Sequence, residues 1–245
     1  MVDAVDSKST LSNKVKVRVL SSAMDWIQRF DLFLFDFDGL LVNTEELHCA
    51  AYREMCRRRG FSMGWTQKDF FQVAHLSATG IRDRIYRDFP EIGAPWDVLY
   101  AEKKAIYQEL LEKGEISLMP GVEEVLKAVE GKKRCVVTTS TKAQTDLVRS
   151  KISALQSIPI WFTRESYGQP KPDPECYQKA IEALGKPKDR VIGFEDSVRG
   201  LKALRGAGVG VSLLICPPDH PQLQEQRLEG YYFPTFQEIP DGFNI

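Results

Sequence analysis

The 245-residue chain has no run approaching the roughly 18 to 20 consecutive apolar residues a membrane-spanning helix needs. It has no charge surplus either. Lys plus Arg is 33 and Asp plus Glu is 34, a formal net charge of −1. A general nucleic-acid binder or a polybasic membrane-surface protein needs a clear excess of positive charge, so neither partner is expected. Cysteines are few and scattered. Cys49, Cys56, Cys135, Cys176 and Cys216 are odd in number and form no C-x-x-C pair, which argues against a disulfide framework and a zinc site. No apolar segment with a small-residue cleavage site opens the chain, so no secretory signal is read. There is no G-x-x-x-x-G-K-S/T stretch, and Gly206-Ala207-Gly208-Val209-Gly210 precedes a strand pattern instead of following one. What remains is a globular protein long enough to bury its own core, expected to be cytoplasmic and monomeric.

Leu32-Phe33-Leu34-Phe35 is a short continuous apolar run ending in Asp36-Phe37-Asp38-Gly39. Such a run suits a strand covered on both faces, as in a parallel sheet. Similar runs recur at 134–138, 158–162, 191–194 and 209–215. Helical patterns at 122–129, 143–151, 174–184 and 198–206 lie among them. This alternation predicts an α/β fold, a three-layer Rossmann-like parallel sheet. Residues 46–117 break it. They contain no convincing strand and read as helices over 47–59, 67–73, 81–88 and 96–113. Seventy residues are too many for one crossover. The expected organisation is an N-terminal extension (1–30) without chemistry, an α/β core (31–45 and 118–245) and an inserted all-helical cap (46–117).

In open α/β sheets, ligands bind beyond the carboxyl ends of the strands. Asp36 and Asp38 follow the first predicted strand, and Thr138, Thr139, Ser140 and Thr141 the second. Lys171 lies in a proline-rich loop beyond the third, and Glu195, Asp196 and Ser197 follow the fourth. Carboxylates from two strand ends suit Mg2+, a hard cation that takes oxygen ligands. A lysine and a hydroxyl suit a phosphoryl group. Two aspartates two residues apart allow divided labour: one attacks phosphorus, the other exchanges protons. Spacing does not say which does which.

These residues carry a resemblance. Phe35-Asp36-Phe37-Asp38-Gly39-Leu40-Leu41-Val42-Asn43-Thr44-Glu45 resembles the first motif of the haloacid-dehalogenase-like (HAD) superfamily. Thr139 falls at its second motif, Lys171-Pro172-Asp173-Pro174 at its third and Gly193-Phe194-Glu195-Asp196-Ser197 at its fourth. The resemblance implies that Asp36 is the nucleophile, forming an aspartyl-phosphate, and Asp38 the general acid/base. It implies that Thr139 binds the phosphoryl group and that Lys171 orients and neutralises it. Magnesium would be held by Asp36, Glu195, Asp196 and the backbone carbonyl of Asp38. His48 sits where members similar to β-phosphoglucomutase carry a histidine. Ser140, His48 and the cap residues His75, Ser77 and Arg82 are the candidate substrate contacts. Asn43 stands where relatives usually have Asp.

Four functions compete for these residues. A magnesium-dependent phosphatase acting on a small phosphorylated metabolite accounts for every group present. A phosphomutase is favoured by His48. Against it, Ser77-Ala78 stands where such mutases have Ser-Arg, losing a bidentate phosphate clamp that Arg82 or Arg84 would have to replace. Dehalogenation needs neither metal nor second aspartate. A catalytically silent binding protein would not need Asp36, Asp38, Lys171 and Asp196 together.

Overall fold

The computed structural model describes residues 24–75, 79–225 and 230–243. Six parallel strands form one sheet: β1 (Leu32–Phe35), β2 (Lys133–Val137), β3 (Ile160–Phe162), β4 (Val191–Glu195), β5 (Val211–Ile215) and β6 (Tyr231–Phe233). Their order is β3-β2-β1-β4-β5-β6. β1 pairs with β2 on one side, Phe35 opposite Val136, and with β4 on the other, Phe35 opposite Phe194. All four β1 residues are buried.

Alternation along β1 sends its side chains to two separate cores. Phe33 and Phe35 join an aromatic layer, in which Phe35 and Phe194 stack at 5.0 Å and 9°. Leu32 and Leu34 pack on the opposite face. α5 (Val122–Ala128) and α6 (Lys142–Lys151) cover the first face. α7 (Glu175–Leu184) and α8 (Val198–Gly206) cover the second. The result is the expected three-layer α/β arrangement. Trp26, Ile27 and Phe30, placed in the extension by the sequence reading, are buried in the aromatic layer. Only residues 1–23 of that extension lie outside the described residues. β6 escaped sequence reading because it is a three-residue edge strand whose Tyr231 is exposed.

Between β1 and β2 come four helices before α5: α1 (Glu45–Arg58), α2 (Gln67–Ala74), α3 (Gly80–Asp88) and α4 (Trp96–Lys113). α2 starts in a capping box, Thr66 Oγ1 accepting from Asp69 N at 3.1 Å while Asp69 accepts from Thr66 N. α1 packs on α4. The chain enters and leaves this run side by side: Val42 bridges Leu118, and Asn43 Oδ1 accepts from Ser117 N at 2.8 Å. Asn43 therefore fastens the two connecting strands together, a task for which its amide oxygen serves as well as a carboxylate.

Candidate active site

The strand order reverses at β1 and β4, and their carboxyl ends open the crevice where open α/β sheets bind ligands. Asp36 follows β1 directly, its amide still paired with Phe194 O at 3.0 Å. Glu195 closes β4 and Asp196 follows. Lys171 reaches the same point from the loop before α7, and its peptide bond to Pro172 is cis. Its ammonium, 4% exposed, lies 2.5 Å from Asp36 Oδ1, 2.7 Å from Glu195 Oε1 and 2.9 Å from Val137 O. Tyr177 donates to Glu195 Oε1 at 2.5 Å and sets its ring under the Lys171 ammonium. Glu195 is thus spent largely on holding Lys171.

Asp36, Glu195 and Asp196 are all buried, and one oxygen of each lies within 4.8 Å of the others. Three carboxylates face one lysine. Burial and the Glu195 charge push Asp36 well above the usual carboxylate range, against the pull of Lys171. Burial and Asp36 do the same to Asp196. This uncompensated negative charge on hard oxygen donors fits a divalent cation such as magnesium. Two glycines make room for it. At Gly39, φ is +78° and a Cβ would lie 2.4 Å from Asp196 Oδ2. At Gly200 a Cβ would lie 1.9 Å from the Glu195 carboxyl carbon.

Asp38 occupies a different environment. It accepts from Thr44 Oγ1 at 2.6 Å, Ser140 Oγ at 2.7 Å, and Thr138 Oγ1 and Tyr107 OH at 3.3 Å. His48 Nε2 faces it at 3.8 Å. Burial opposes ionisation, but His48, Ser140 and Thr44 outweigh it and hold Asp38 below the ordinary range. His48 stacks on Tyr107 at 3.9 Å, and its Nδ1 is 2.6 Å from Lys103 Nζ.

The structure sorts the hydroxyl cluster. Thr141 caps α6 in a capping box with Gln144, and Thr138 and Ser140 are turned to Asp38. Thr139 alone of the four is exposed, and it lines the cavity. Ser140 also lines the cavity, but the hydroxyl assigned to substrate is donated to Asp38. Likewise the Asp38 carboxylate stands outside the three-carboxylate group, so only its backbone carbonyl is left for metal. His75, 6% exposed, lies 3.3 Å from Glu45 and 4.0 Å from Asp196, against the floor of the site. Arg82 lines the cavity and pairs with Asp83 at 2.9 Å. Ser77 lies outside the described residues.

The cavity, of about 510 Å3, lies between the strand ends and the inserted helices. Sequence reading missed Glu45, Lys103 and Tyr107 in and around it. Lys103 carried a faint signal, a lysine amid the apolar positions of α4, where it is buried. Arg164 and Arg199 were missed as well. Arg199 follows the fourth motif in the first turn of α8, where a cation opposes the helix dipole.

Comparison with known proteins supplies the family. The chain is 32% identical to Protein CbbY of Rhodobacter capsulatus over 193 residues, 74% of this chain and 83% of that one. It is 30% identical to the phosphorylated carbohydrates phosphatase of Thermotoga maritima over 186 residues, 72% and 81% of the two chains. The fold matches a crystal structure of a Rhodobacter sphaeroides CbbY mutant in complex with xylulose-(1,5)bisphosphate, with a TM-score of 0.71, 24% identity, and coverage of 86% and 96%. The haloacid dehalogenase-like hydrolase family model matches residues 33–214, from β1 through β5. The four motifs, the sheet that gathers them and this match agree, and the chain belongs to the haloacid dehalogenase-like hydrolases.

Proposed function

We propose that this protein is a magnesium-dependent phosphatase that hydrolyses a small phosphorylated sugar or similar metabolite through an aspartyl-phosphate. One observation carries the reading. Two aspartates two residues apart sit in opposite environments, Asp36 among Lys171 and carboxylates, Asp38 among hydroxyls and His48. That separation divides nucleophile from proton carrier. The relatives named as a carbohydrate phosphatase and as CbbY support the substrate class.

Asp36, Asp196, Glu195 directly or through water, and the Asp38 carbonyl would hold magnesium, whose charge offsets that of the carboxylates and the phosphoryl oxygens. Asp36 attacks phosphorus, forming a P–O bond to its carboxylate as the bond to the sugar oxygen breaks. Lys171 holds the Asp36 carboxylate and neutralises phosphoryl charge. Thr139 donates to a phosphoryl oxygen. Asp38, held ionised by its neighbours, relays a proton from the His48–Lys103 pair to the departing sugar oxygen and later takes one back from the attacking water, which releases phosphate and restores Asp36. His48 stands behind Asp38 as the proton's neighbour. The inserted helices serve as a cap that closes over the site and excludes bulk water.

The test is phosphate release from a panel of phosphorylated metabolites, with and without Mg2+, beside Asp36→Asn. Release that depends on Mg2+ and is lost in the variant is expected. No release from any substrate, or equal rates in both proteins, overturns the reading. Conversion of a β-sugar 1-phosphate to the 6-phosphate without net release replaces it with a mutase.

A further inference from the structure

The acidic residues lining the cavity lie at its floor, and each has a lysine or histidine beside it there. Lys171 meets Asp36 and Glu195, His75 meets Glu45 and Asp196, and His48 meets Asp38. Three cations lining the same cavity are different. Lys104, Arg164 and Arg199 have no carboxylate within ion-pair distance among the described residues.

Arg164 is held in place without an ion pair. Arg164 donates from its two terminal nitrogens to Tyr167 O at 2.7 Å and Gly168 O at 3.1 Å, and its guanidinium lies 5.3 Å from the Tyr167 ring. Carbonyls orient the group and leave its full charge. Lys104 lies over the Tyr100 ring at 5.1 Å. Arg199 has a buried Nε with no hydrogen-bond partner. A buried donor left unpaired is costly, and so is a cation in the first turn of a helix. Both costs fall on one side chain in the wall of the cavity. The two arginines, from the loop after β3 and from α8, line the same cavity as Tyr100 of α4, and burial pushes the Tyr100 phenol up while both pull it down. Unpaired cations in a concave wall focus a positive field into it. Arginine's planar fork matches phosphate and carboxylate geometry.

We propose that Arg164, Arg199 and Lys104 form a second anion subsite in this cavity, and that the substrate carries a further anionic group, phosphate or carboxylate, besides the phosphoryl group that meets Asp36. The arginines come from the core side and Lys104 from α4, so the ligand is gripped from both sides of the cleft. The subsite replaces the cap arginine that Ser77-Ala78 lacks with arginines of the core. This inference names the substrate class of the phosphatase reading and rests on it for the fate of the first phosphoryl group.

The experiment measures binding and turnover separately. Calorimetry on Asp36→Asn in the presence of Mg2+ compares fructose 1,6-bisphosphate, 6-phosphogluconate and fructose 6-phosphate. At least one of the two doubly anionic probes is expected to bind about tenfold or more tightly than fructose 6-phosphate, and the better of them identifies the second anion as phosphate or carboxylate. Arg199→Ala and Arg164→Ala on that background should erase the preference, and Arg199→Lys should restore part of it. Circular dichroism confirms that the variants are folded. Equal affinity for all three probes, or a preference that survives both arginine substitutions, overturns the subsite. In the otherwise wild-type enzyme, the ratio of kcat/KM for doubly to singly anionic substrates should fall about tenfold on Arg199→Ala. Release from monophosphates without that preference refutes the subsite and leaves the phosphatase standing. The expected binding preference with no phosphate release refutes the phosphatase and leaves the subsite standing.

Discussion

Lys103 Nζ lies 2.6 Å from His48 Nδ1, and both side chains pack against the Tyr107 ring. An ammonium at that distance donates to Nδ1, so the ring proton resides on Nε2, the nitrogen that faces Asp38. Burial lowers the Lys103 pKa to about 8, even though Glu45 and Asp38 pull it the other way. Lys103 therefore ties the tautomer of His48, and in the proposed mechanism the proton supply of Asp38, to a group that titrates just above neutrality.

The alkaline side of the pH profile follows from that tie. Above about pH 8 Lys103 loses its proton and ceases to fix His48. We expect kcat to decline from there upward. Lys103→Arg keeps its charge and should move the decline to higher pH. Steady-state kinetics between pH 6 and 10 checks this, and an unchanged limb in Lys103→Arg removes Lys103 from the relay.

Lys103 also costs stability. Its folded pKa of about 8 is below an ordinary lysine's ~10.4. Between those values the unfolded chain binds more protons, so its contribution to stability rises with pH across that window and is lowest below it. Lys103→Met removes the buried charge and should melt higher at pH 7, by about 1–4 kcal/mol of stability, while losing activity. The gap between variant and wild type should shrink as pH rises from 8 to 10. A gap independent of pH contradicts this account.

The carboxylate group predicts the opposite slope. Burial and mutual repulsion raise the folded pKa of Asp36 and Asp196 above their unfolded values. The folded protein then holds protons that the unfolded chain has released. Their contribution is present at low pH and is lost as pH climbs out of the ordinary carboxylate range. Mg2+ should raise the melting temperature most at neutral pH, where that repulsion is largest. Asp196→Asn should melt no lower than wild type without metal and should lose most of the Mg2+-dependent gain. Differential scanning fluorimetry against Mg2+ concentration decides it.

Removing the lysine at the centre should be far more damaging. Lys171→Ala leaves Asp36 and Glu195 buried without their cation, at a cost of about 3–5 kcal/mol. Combining it with Asp36→Asn should cost less than the sum, because the double variant buries one uncompensated charge fewer. Additive effects in urea denaturation would falsify the idea that Lys171 serves both carboxylates.

Gly200→Ala tests the fit behind Glu195. The new methyl group would occupy the position of the Glu195 carboxylate, so that side chain must move and release Lys171. We expect about 1–3 kcal/mol of destabilisation, and a fall in kcat greater than the change in KM. Full kcat with lowered stability alone would show that Glu195 does not position the lysine.

Much of this protein is legible along the chain. Continuous apolar runs bounded by turns mark five of the six strands, because a strand covered on both faces needs apolar residues at every position. The four motifs reveal Asp36, Asp38, Lys171, Glu195 and Asp196, because each follows a strand and parallel strands all end on one edge. Side-chain pairing was not legible. Nothing local distinguishes Ser140, turned to Asp38, from Thr139, turned to the cavity, since adjacent hydroxyls differ only in the direction the folded backbone gives them. Lys103 lies 55 residues from His48 and Lys171 135 from Asp36, and only helix packing and sheet order bring them together. Trp26 and Phe30 read as part of an extension because burial depends on what the sheet leaves uncovered. The sequence determined the chemistry and the edge at which it gathers. The tertiary structure decided which aspartate sits among carboxylates and which among hydroxyls, which hydroxyl is exposed to the cavity and which arginines line it, because all three depend on neighbours distant in the chain.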